Sequence, residues 1–250
     1  MKLLVSFVLL VLGVSLVRGG AFGRVVGGNY AKRGQFPYQV ALTLKRQTLC
    51  GGAIVHERFF LTAARCFYDG VNRLPVDELN VFYGSEKLFS NGRYNRIKTV
   101  HFHEQYDLAL VEVRRKFELS ATTRPVALGE ATFGEHLPAT VSGYGRNTAD
   151  GNRVFQLKYT QLNSLPGSVC QEALGDDYYE GVFCLDTSAG SGFCLGDYGG
   201  PAVADDKLVG IGSYTVGGKC ETGEPDVFVD VGYFGEWVQS ILEAEPASGE

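Results

Sequence analysis

The sequence lacks several features that mark whole classes of protein. Its 250 residues include one Trp, one Met and four His, and it contains neither a repeat nor a low-complexity segment. Beyond residue 17 no apolar run is long enough to cross a bilayer, and no Asn-x-Ser/Thr sequon or Cys-x-x-Cys pair occurs. The histidines are scattered at positions 56, 101, 103 and 136. The sequence therefore predicts no membrane span, no N-linked glycan, no metal site and no cofactor.

Positive charge is also scarce. The chain has a formal net charge of −5, and residues 1–24 hold three basic residues and no acidic one, so the remainder is more acidic still. Such a balance argues against nucleic acid as a partner. With 45% hydrophobic and 20% charged residues, the composition excludes disorder, collagen and coiled coil. The length suits one large domain or two tightly packed lobes.

The first residues predict export. Lys2 precedes an uncharged, largely apolar run over residues 3–17, which Arg18, Gly19 and Gly20 follow. A positive start, a run too short to span a bilayer and small residues after it are typical of a cleaved signal peptide, here residues 1–19. We therefore expect a secreted, extracellular protein whose six cysteines form disulfides. Spacing alone leaves their pairing open.

Short β-branched, aromatic and aliphatic runs recur along the chain, separated by turn residues. Ten such runs predict an all-β barrel or sandwich. They cover residues 38–44, 53–61, 79–83, 107–113, 139–142, 154–161, 181–185, 201–203, 207–214 and 226–231. One helix is predicted, over residues 233–243, because its apolar residues fall three to four apart. Residues 244–250 form an acidic tail, and residues 119–125 have the composition of a linker between two lobes.

Several stretches in this order resemble the chymotrypsin-like (trypsin-fold) serine proteases. They are RVVGG at residues 24–28, FPYQVAL at 36–42, CGGAIV at 50–55, LTAARC at 61–66, YDLALVEV at 106–113, VSGYG at 141–145, CLGDYGGPAV at 194–203 and GSYT at 212–215. The resemblance covers residues 25 to about 240. It implies two packed six-stranded antiparallel β-barrels with a C-terminal helix and a cleft between the barrels.

The resemblance also implies a domain organisation and a cysteine pairing. Residues 20–24 would be a short propeptide and residues 25–243 the protease-like domain, with lobes at about 25–122 and 123–232. The disulfides would join Cys50 to Cys66, Cys170 to Cys184, and Cys194 to Cys220. Cleavage between Arg24 and Val25 would release a new N-terminus that folds onto Asp197.

Two departures from the family pattern concern the catalytic triad. The position of the general-base His holds Arg65 and the position of the nucleophilic Ser holds Tyr198, so only Asp107 of the triad is kept. A guanidinium carries donors alone and cannot accept a proton. We expect Arg65 to pair with Asp107, and Ser213 to donate to that carboxylate from the other side. The other possibility is an Arg65 side chain that extends into solvent while Ser213, backbone N–H groups and water satisfy Asp107.

The specificity pocket also departs from the pattern. Its floor position is Gly192, followed by the bulky Phe193, while Ser213 and Thr215 lie along one wall. Asp226 takes a wall position that is usually Gly, where it either supplies negative charge to the pocket or is a solvated turn residue. The backbone N–H groups of Gly196 and Tyr198 are at the positions of the oxyanion hole.

These residues predict a secreted, non-catalytic serine protease homologue that acts as a binding or regulatory protein. Its expected partners are extracellular proteins: active proteases, their substrates or their inhibitors. The sequence leaves the oligomeric state open. One alternative is an active hydrolase that uses Tyr198 with its pKa lowered by Arg65; another is a secreted structural or storage protein. His101 and His103 precede Asp107 and are interpreted as surface-loop residues.

Overall fold

The computed structural model describes residues 28–146, 155–220 and 222–244. The signal sequence, the Arg24–Val25 junction and the tail beyond residue 244 lie outside the described residues, so what the sequence predicts for them stays a prediction.

Sixteen strands make up most of the regular structure in these ranges. They are β1 (Asn29–Tyr30), β2 (Gln39–Leu44), β3 (Gln47–His56), β4 (Phe59–Thr62), β5 (Tyr68–Asp69), β6 (Asn72–Arg73), β7 (Leu79–Tyr83), β8 (Arg93–Phe102), β9 (Ala109–Val113), β10 (Ala127–Leu128), β11 (Pro138–Gly143), β12 (Lys158–Asn163), β13 (Val182–Leu185), β14 (Pro201–Ala204), β15 (Lys207–Thr215) and β16 (Asp226–Asp230).

The first lobe is a closed antiparallel barrel. Its six strands follow one another in the order β2-β3-β4-β9-β8-β7. Val40 and Leu42 of β2, Leu61 of β4 and Val111 of β9 are fully buried. Closing the sheet on itself removes its edges, so every one of these strands is paired on both sides.

The second lobe is an eight-stranded sheet. Its strands run β1-β12-β11-β14-β15-β16-β13, and β10 pairs with β15 in parallel. A bridge between Ser164 and Leu185 joins the ends of β12 and β13. The six strands from β12 to β13 in this order therefore form a nearly closed barrel, and β1 and β10 pair with its strands from outside.

A single hydrophobic core links the two lobes. It combines first-lobe side chains such as Leu61 and Leu110 with Ile211, Val229 and Val238 of the second half. Val238 belongs to the C-terminal helix α2 (Gly235–Ala244), which follows the last strand back onto the first lobe. Because both lobes contribute to one core, the groove between them is held at a fixed width.

The cysteine pairing implied by the resemblance is confirmed. Disulfides join Cys50 to Cys66, Cys170 to Cys184, and Cys194 to Cys220. The first of them ties β3 to a short 3-10 helix at Ala64–Phe67, and this helix carries Arg65. The predicted all-β architecture with a terminal helix is also confirmed.

The predicted secondary structure was wrong in several details, of which three involve longer elements. The run over residues 53–61 is two strands, because β3 ends at His56 and β4 begins at Phe59. Helix α1 (Gly167–Leu174) was missed, since its eight residues bury only Cys170 and Leu174 and show little periodicity. Strand β8 was missed because most of its side chains are polar; Asn95 and Ile97 are its buried residues.

The interpretation of His101 and His103 as surface-loop residues was wrong. His101 belongs to β8, and its Nε2 atom is buried and has no hydrogen-bond partner among the residues that the structure describes. His103 follows the strand and packs against Phe234 and Trp237, with ring centroids 5.1 and 5.2 Å apart. Burial lowers its pKa.

The helices of the described ranges are all short or partly polar. None of them is long and apolar enough to cross a bilayer.

Candidate functional site

A cleft of about 570 Å³ runs between the lobes. We call it the interlobe cleft. It is lined by Arg65, Gln105, Asp107, Asp177, Tyr179, Tyr198, Ser213, Tyr214, Thr215, Gly217 and Gly218. The three triad positions named from the sequence are therefore brought together, and Ser213 and Thr215 lie beside them.

Arg65 enters the cleft from the short helix that the Cys50–Cys66 disulfide anchors. Its backbone N–H donates to Asp107 Oδ1 at 2.8 Å, and its side-chain Nε donates to Asp107 Oδ2. The guanidinium carbon lies 5.1 Å from the centroid of the Tyr214 ring, within cation–π range. The predicted Arg65–Asp107 ion pair is confirmed.

Asp107 receives a third donor from the second lobe. The Ser213 hydroxyl lies 2.5 Å from Asp107 Oδ2, as expected from the sequence. The Asp107 side chain is 14% exposed, whereas that of Arg65 is 44% exposed. The carboxylate is thus held from three directions in a nearly buried place, and the outer edge of the guanidinium stays open to the cleft.

Tyr198 lies half-buried at the centre of the cleft and packs against the shared core. Burial raises the pKa of its hydroxyl, and a hydrogen bond with the Thr215 side chain and the charge on Arg65 offset only part of that rise. Arg65 does lower this pKa, as expected, but burial has the larger effect and the pKa is raised overall. Removing a phenol proton here is harder than in water because the anion would be poorly solvated.

The specificity pocket beside Tyr198 is closed. Thr187, Phe193, Thr215, Cys220 and Asp226 are among the residues that surround a cavity of only about 10 Å³. That is roughly the space of one water molecule and too little for an amino-acid side chain. Gly192 also lines this cavity.

Phe193 closes the pocket from within. Its ring lies where a side chain at position 212 would have to be, since a Cβ added to Gly212 would meet it at 1.7 Å. The ring also packs on Phe228 at a centroid distance of 4.7 Å. A glycine at position 212 is therefore required for the ring to fit.

Asp226 is buried in the pocket wall and is not a solvated turn residue. It accepts hydrogen bonds from the Phe193 backbone N–H at 2.6 Å and from the Thr215 hydroxyl at 2.7 Å. Burial raises its pKa to about 7, and these two hydrogen bonds oppose that rise. The carboxyl group is thus occupied by the protein's own donors.

Asp197 is buried on the other side of the Tyr198 loop. It accepts hydrogen bonds from the backbone N–H groups of Gly145 at 2.6 Å and Cys194 at 3.2 Å. Burial raises its pKa to about 7 despite these bonds. The Arg24–Val25 junction lies outside the described residues, so the pairing of Asp197 with a new N-terminus stays a prediction.

Gly196, one of the two oxyanion-hole positions, has a φ of +99°, a conformation that favours glycine. A Cβ added there would also lie 3.2 Å from the Cα of Gly145. The tight loop that carries Tyr198 therefore depends on this glycine.

Sequence reasoning missed several residues of the cleft. Tyr179, Tyr214, Gln105 and Asp177 line it, and none of them was named. Tyr214 belongs to the GSYT motif at residues 212–215, so the motif could have identified it. Tyr179 is brought in by the segment after α1, a helix that the sequence did not predict.

The described residues contain no group of three or more His, Cys, Asp or Glu side chains placed to hold a metal ion.

Residues 25–238 match the family model described as Trypsin. The chain belongs to the trypsin family of serine proteases. It is 34% identical over 224 residues to the serine protease SP24D of Anopheles gambiae, covering 88% of this chain and 81% of that protein. It is also 32% identical over 234 residues to the collagenase of Hypoderma lineatum, covering 87% and 86% of the two chains.

A solved structure has the same fold as this trypsin-family chain. It is neuropsin, described as a serine protease expressed in the limbic system of mouse brain, with a TM-score of 0.79 at 24% sequence identity. The likeness covers 86% of this chain and 98% of neuropsin.

The Asp107 contacts lead to a stability prediction. We expect Arg65→Ala to lower the free energy of unfolding by about 1–2 kcal/mol, because it leaves a nearly buried carboxylate short of a charged donor. The double variant Arg65→Ala/Asp107→Asn should lose less free energy of unfolding, because it no longer has an unpaired carboxylate charge at position 107. Urea unfolding measures both, with the exposed-site variant Arg33→Ala as the control. A double variant less stable than the single one would contradict the ion-pair interpretation.

The buried Asp226 leads to a pH prediction. Its pKa is raised to about 7 in the fold, against about 3.9 for an unfolded chain, so the folded state binds an extra proton between these values. The contribution of Asp226 to stability is therefore greatest below pH 4 and falls as pH rises toward 7. Between pH 4 and pH 7, the free energy of unfolding of Asp226→Asn should therefore rise by about 1 kcal/mol or more relative to that of the wild type.

Unfolding at several pH values measures this difference against the wild type, in which the Asp226 charge also helps to raise the pKa of Asp197. Asn at position 226 keeps an oxygen for the Phe193 N–H and an amide group for the Thr215 hydroxyl. A stability difference that does not change with pH would contradict the raised pKa.

Proposed function

We propose that this trypsin-family chain is a secreted, non-catalytic homologue that works by binding other extracellular proteins, as a cofactor, decoy or modulator of proteolysis. The observation that carries the proposal is the Arg65–Asp107 pair. The Arg65 guanidinium, which holds Asp107, has five hydrogen-bond donors and no acceptor, so it cannot take a proton from a nucleophile. Loss of the base or the nucleophile of such a triad lowers turnover by about a millionfold.

The state of Tyr198 supports the same proposal. Its pKa is raised, and none of the four histidines lines the cleft, so no imidazole faces its hydroxyl as a general base. A phenol needs a base to attack a carbonyl group near neutral pH. The alternative of a hydrolase with an unorthodox site therefore has no histidine base in the cleft, and the Asp107 carboxylate is occupied by Arg65 and Ser213.

The closed specificity pocket is a further support. A cavity of about 10 Å³ cannot take the side chain that a protease of this fold holds during cleavage. Positioning of the substrate supplies a large share of enzymatic rate, so its loss would weaken any residual reaction. The relatives named above carry the names of proteases; the substitutions at positions 65 and 198 are our reason to propose a different role here.

The interlobe cleft is the surface we propose for binding. Tyr179, Tyr198 and Tyr214 line its wall around the Arg65 guanidinium, and tyrosine and arginine are enriched among residues that dominate binding energy. A purely structural or storage role would not need such a groove. The signal-like start and three disulfides support an extracellular location.

We also propose that cleavage after Arg24 regulates binding. Asp197 is a buried carboxylate in the loop next to Tyr198, and a new N-terminal ammonium group is a suitable partner for it. Pairing there would order the loop that carries Tyr198.

Affinity capture from extracellular fluid tests the binding role. Four baits are compared. They are the wild type cleaved after Arg24, an uncleavable Arg24→Gln variant, the cleft variant Tyr179→Ala/Tyr214→Ala, and Tyr30→Ala as a control at an exposed position outside the cleft. We expect an extracellular protein that the wild type and the control retain and the cleft variant loses. Identical sets of captured proteins for the control and the cleft variant would contradict the proposal.

Restoring the triad residues tests the proposed inactivity. We expect neither Arg65→His nor Tyr198→Ser alone to give peptidase activity, and the two together to give weak activity, because base and nucleophile act as a unit. Peptide and ester hydrolysis measures this, with Arg65→Gln/Tyr198→Ala as the control. Activity in Tyr198→Ser alone equal to that of the double variant would show that Arg65 does not block the reaction.

A further inference from the structure

Three arginines line a second groove, at the start of β8 and away from the interlobe cleft. The groove has a volume of about 330 Å³ and is lined by Asn80, Tyr94, Asn95, Arg96, Arg114 and Arg115. We call it the arginine groove. It shares no residue with the interlobe cleft, and the seven residues of β8 from Arg96 to Phe102 extend about 20 Å from it toward that cleft.

The arginines of this groove have no acidic partners. Within residues 28–146, 155–220 and 222–244, none of the three forms an ion pair, although Lys45, Arg65, Arg93, Lys98, Lys116 and Lys207 all do. The acids near the rim are committed elsewhere: Glu78 pairs with Lys45 at 3.7 Å, and Glu118 pairs with Arg93 at 2.5 Å. Asp77 contacts Arg96 through its backbone oxygen.

Backbone contacts hold two of the guanidinium groups in place. Arg96 Nη1 donates to the Asp77 carbonyl oxygen at 2.7 Å, and Arg114 Nε donates to the Ile97 carbonyl oxygen at 3.3 Å. Each contact uses one side of the guanidinium, so other N–H groups are left for a ligand.

Buried Asn95 fixes the third arginine relative to the others. Its side chain accepts hydrogen bonds from the backbone N–H groups of Arg96 and Arg115, at 2.9 and 3.3 Å. Its amide group donates to the Arg115 carbonyl oxygen at 2.7 Å. Arg114 in turn donates its backbone N–H to the Arg96 carbonyl oxygen at 2.8 Å. The backbones of the three arginines are therefore held side by side by the fold.

We propose that the arginine groove binds an acidic segment of a partner protein. Guanidinium forks match carboxylates in two parallel hydrogen bonds, and a cluster of unmatched cations on a chain of net charge −5 attracts such a ligand selectively. The exposed Tyr94 ring adds an apolar wall. The volume of the groove is at the low end of the range for ligand pockets. A groove of this size can hold a few acidic side chains of a protein segment better than it can hold a long polyanion.

Fluorescence anisotropy of a fluorescein-labelled octaglutamate peptide tests this proposal, with octaglutamine as the uncharged probe. The test variant is Arg96→Gln/Arg114→Gln/Arg115→Gln. The matched control is Lys32→Gln/Arg33→Gln/Arg124→Gln, which removes the same charge elsewhere on the surface. We expect the test variant to bind octaglutamate about tenfold more weakly or worse, and the control to stay within about twofold of the wild type.

Two further arms make the result specific. Arg73→Gln, which removes one positive charge outside both the arginine groove and the interlobe cleft, should leave octaglutamate binding unchanged. Arg115→Gln alone should weaken binding about threefold. This side chain makes no hydrogen bond or ion pair within the described residues, so the variant keeps the test valid if the triple variant does not fold.

Three results would overturn the proposal. The first is equal loss of affinity in the test and control variants, and the second is no measurable binding of octaglutamate by the wild type. The third is binding of a heparin-derived hexasaccharide that depends on the three arginines while octaglutamate binding does not, which would assign the groove to a sulfated sugar.

Discussion

The carboxylate of Asp107 joins three distant parts of the chain. It accepts hydrogen bonds from the backbone and side chain of Arg65, which follows β4, and from Ser213 of β15 in the second lobe. A nearly buried carboxylate must be satisfied in this way, because an unpaired charge in such a place is costly. The geometry of the cleft depends on this contact, since it fixes Arg65, Ser213 and the strand ends relative to one another.

The same requirement explains the neighbouring pocket. Asp226 is buried, and its donors are the Phe193 backbone and the Thr215 hydroxyl of the pocket wall itself. The Phe193 ring then fills the space beside Gly212. Both carboxylates, Asp107 at the cleft and Asp226 in the pocket wall, are thus satisfied by the protein's own donors.

Much of the fold could be predicted from the sequence, because strand patterns and ordered motifs carry it. The cysteine pairs and the Arg65–Asp107 contact followed from motifs that fix residues at known places in the fold. Strand β8 could not be found, since its exposed face is polar and it buries Asn95 where a hydrophobic side chain is expected. Closure of the pocket depends on where the Phe193 ring points, which spacing does not reveal. The arginine groove was also hidden, because strand pairing brings Arg96 beside Arg114 and Arg115 from 18 and 19 positions along the chain.

Reaction with a fluorophosphonate probe tests the central claim most directly. Such probes form a covalent bond with a hydroxyl nucleophile that a base activates, and they need no occupied specificity pocket. The protein cleaved after Arg24 is incubated with the probe, and its intact mass is measured. The account predicts no adduct, because Arg65 cannot act as a base and burial raises the pKa of Tyr198. A stoichiometric adduct that Tyr198→Phe abolishes would contradict it.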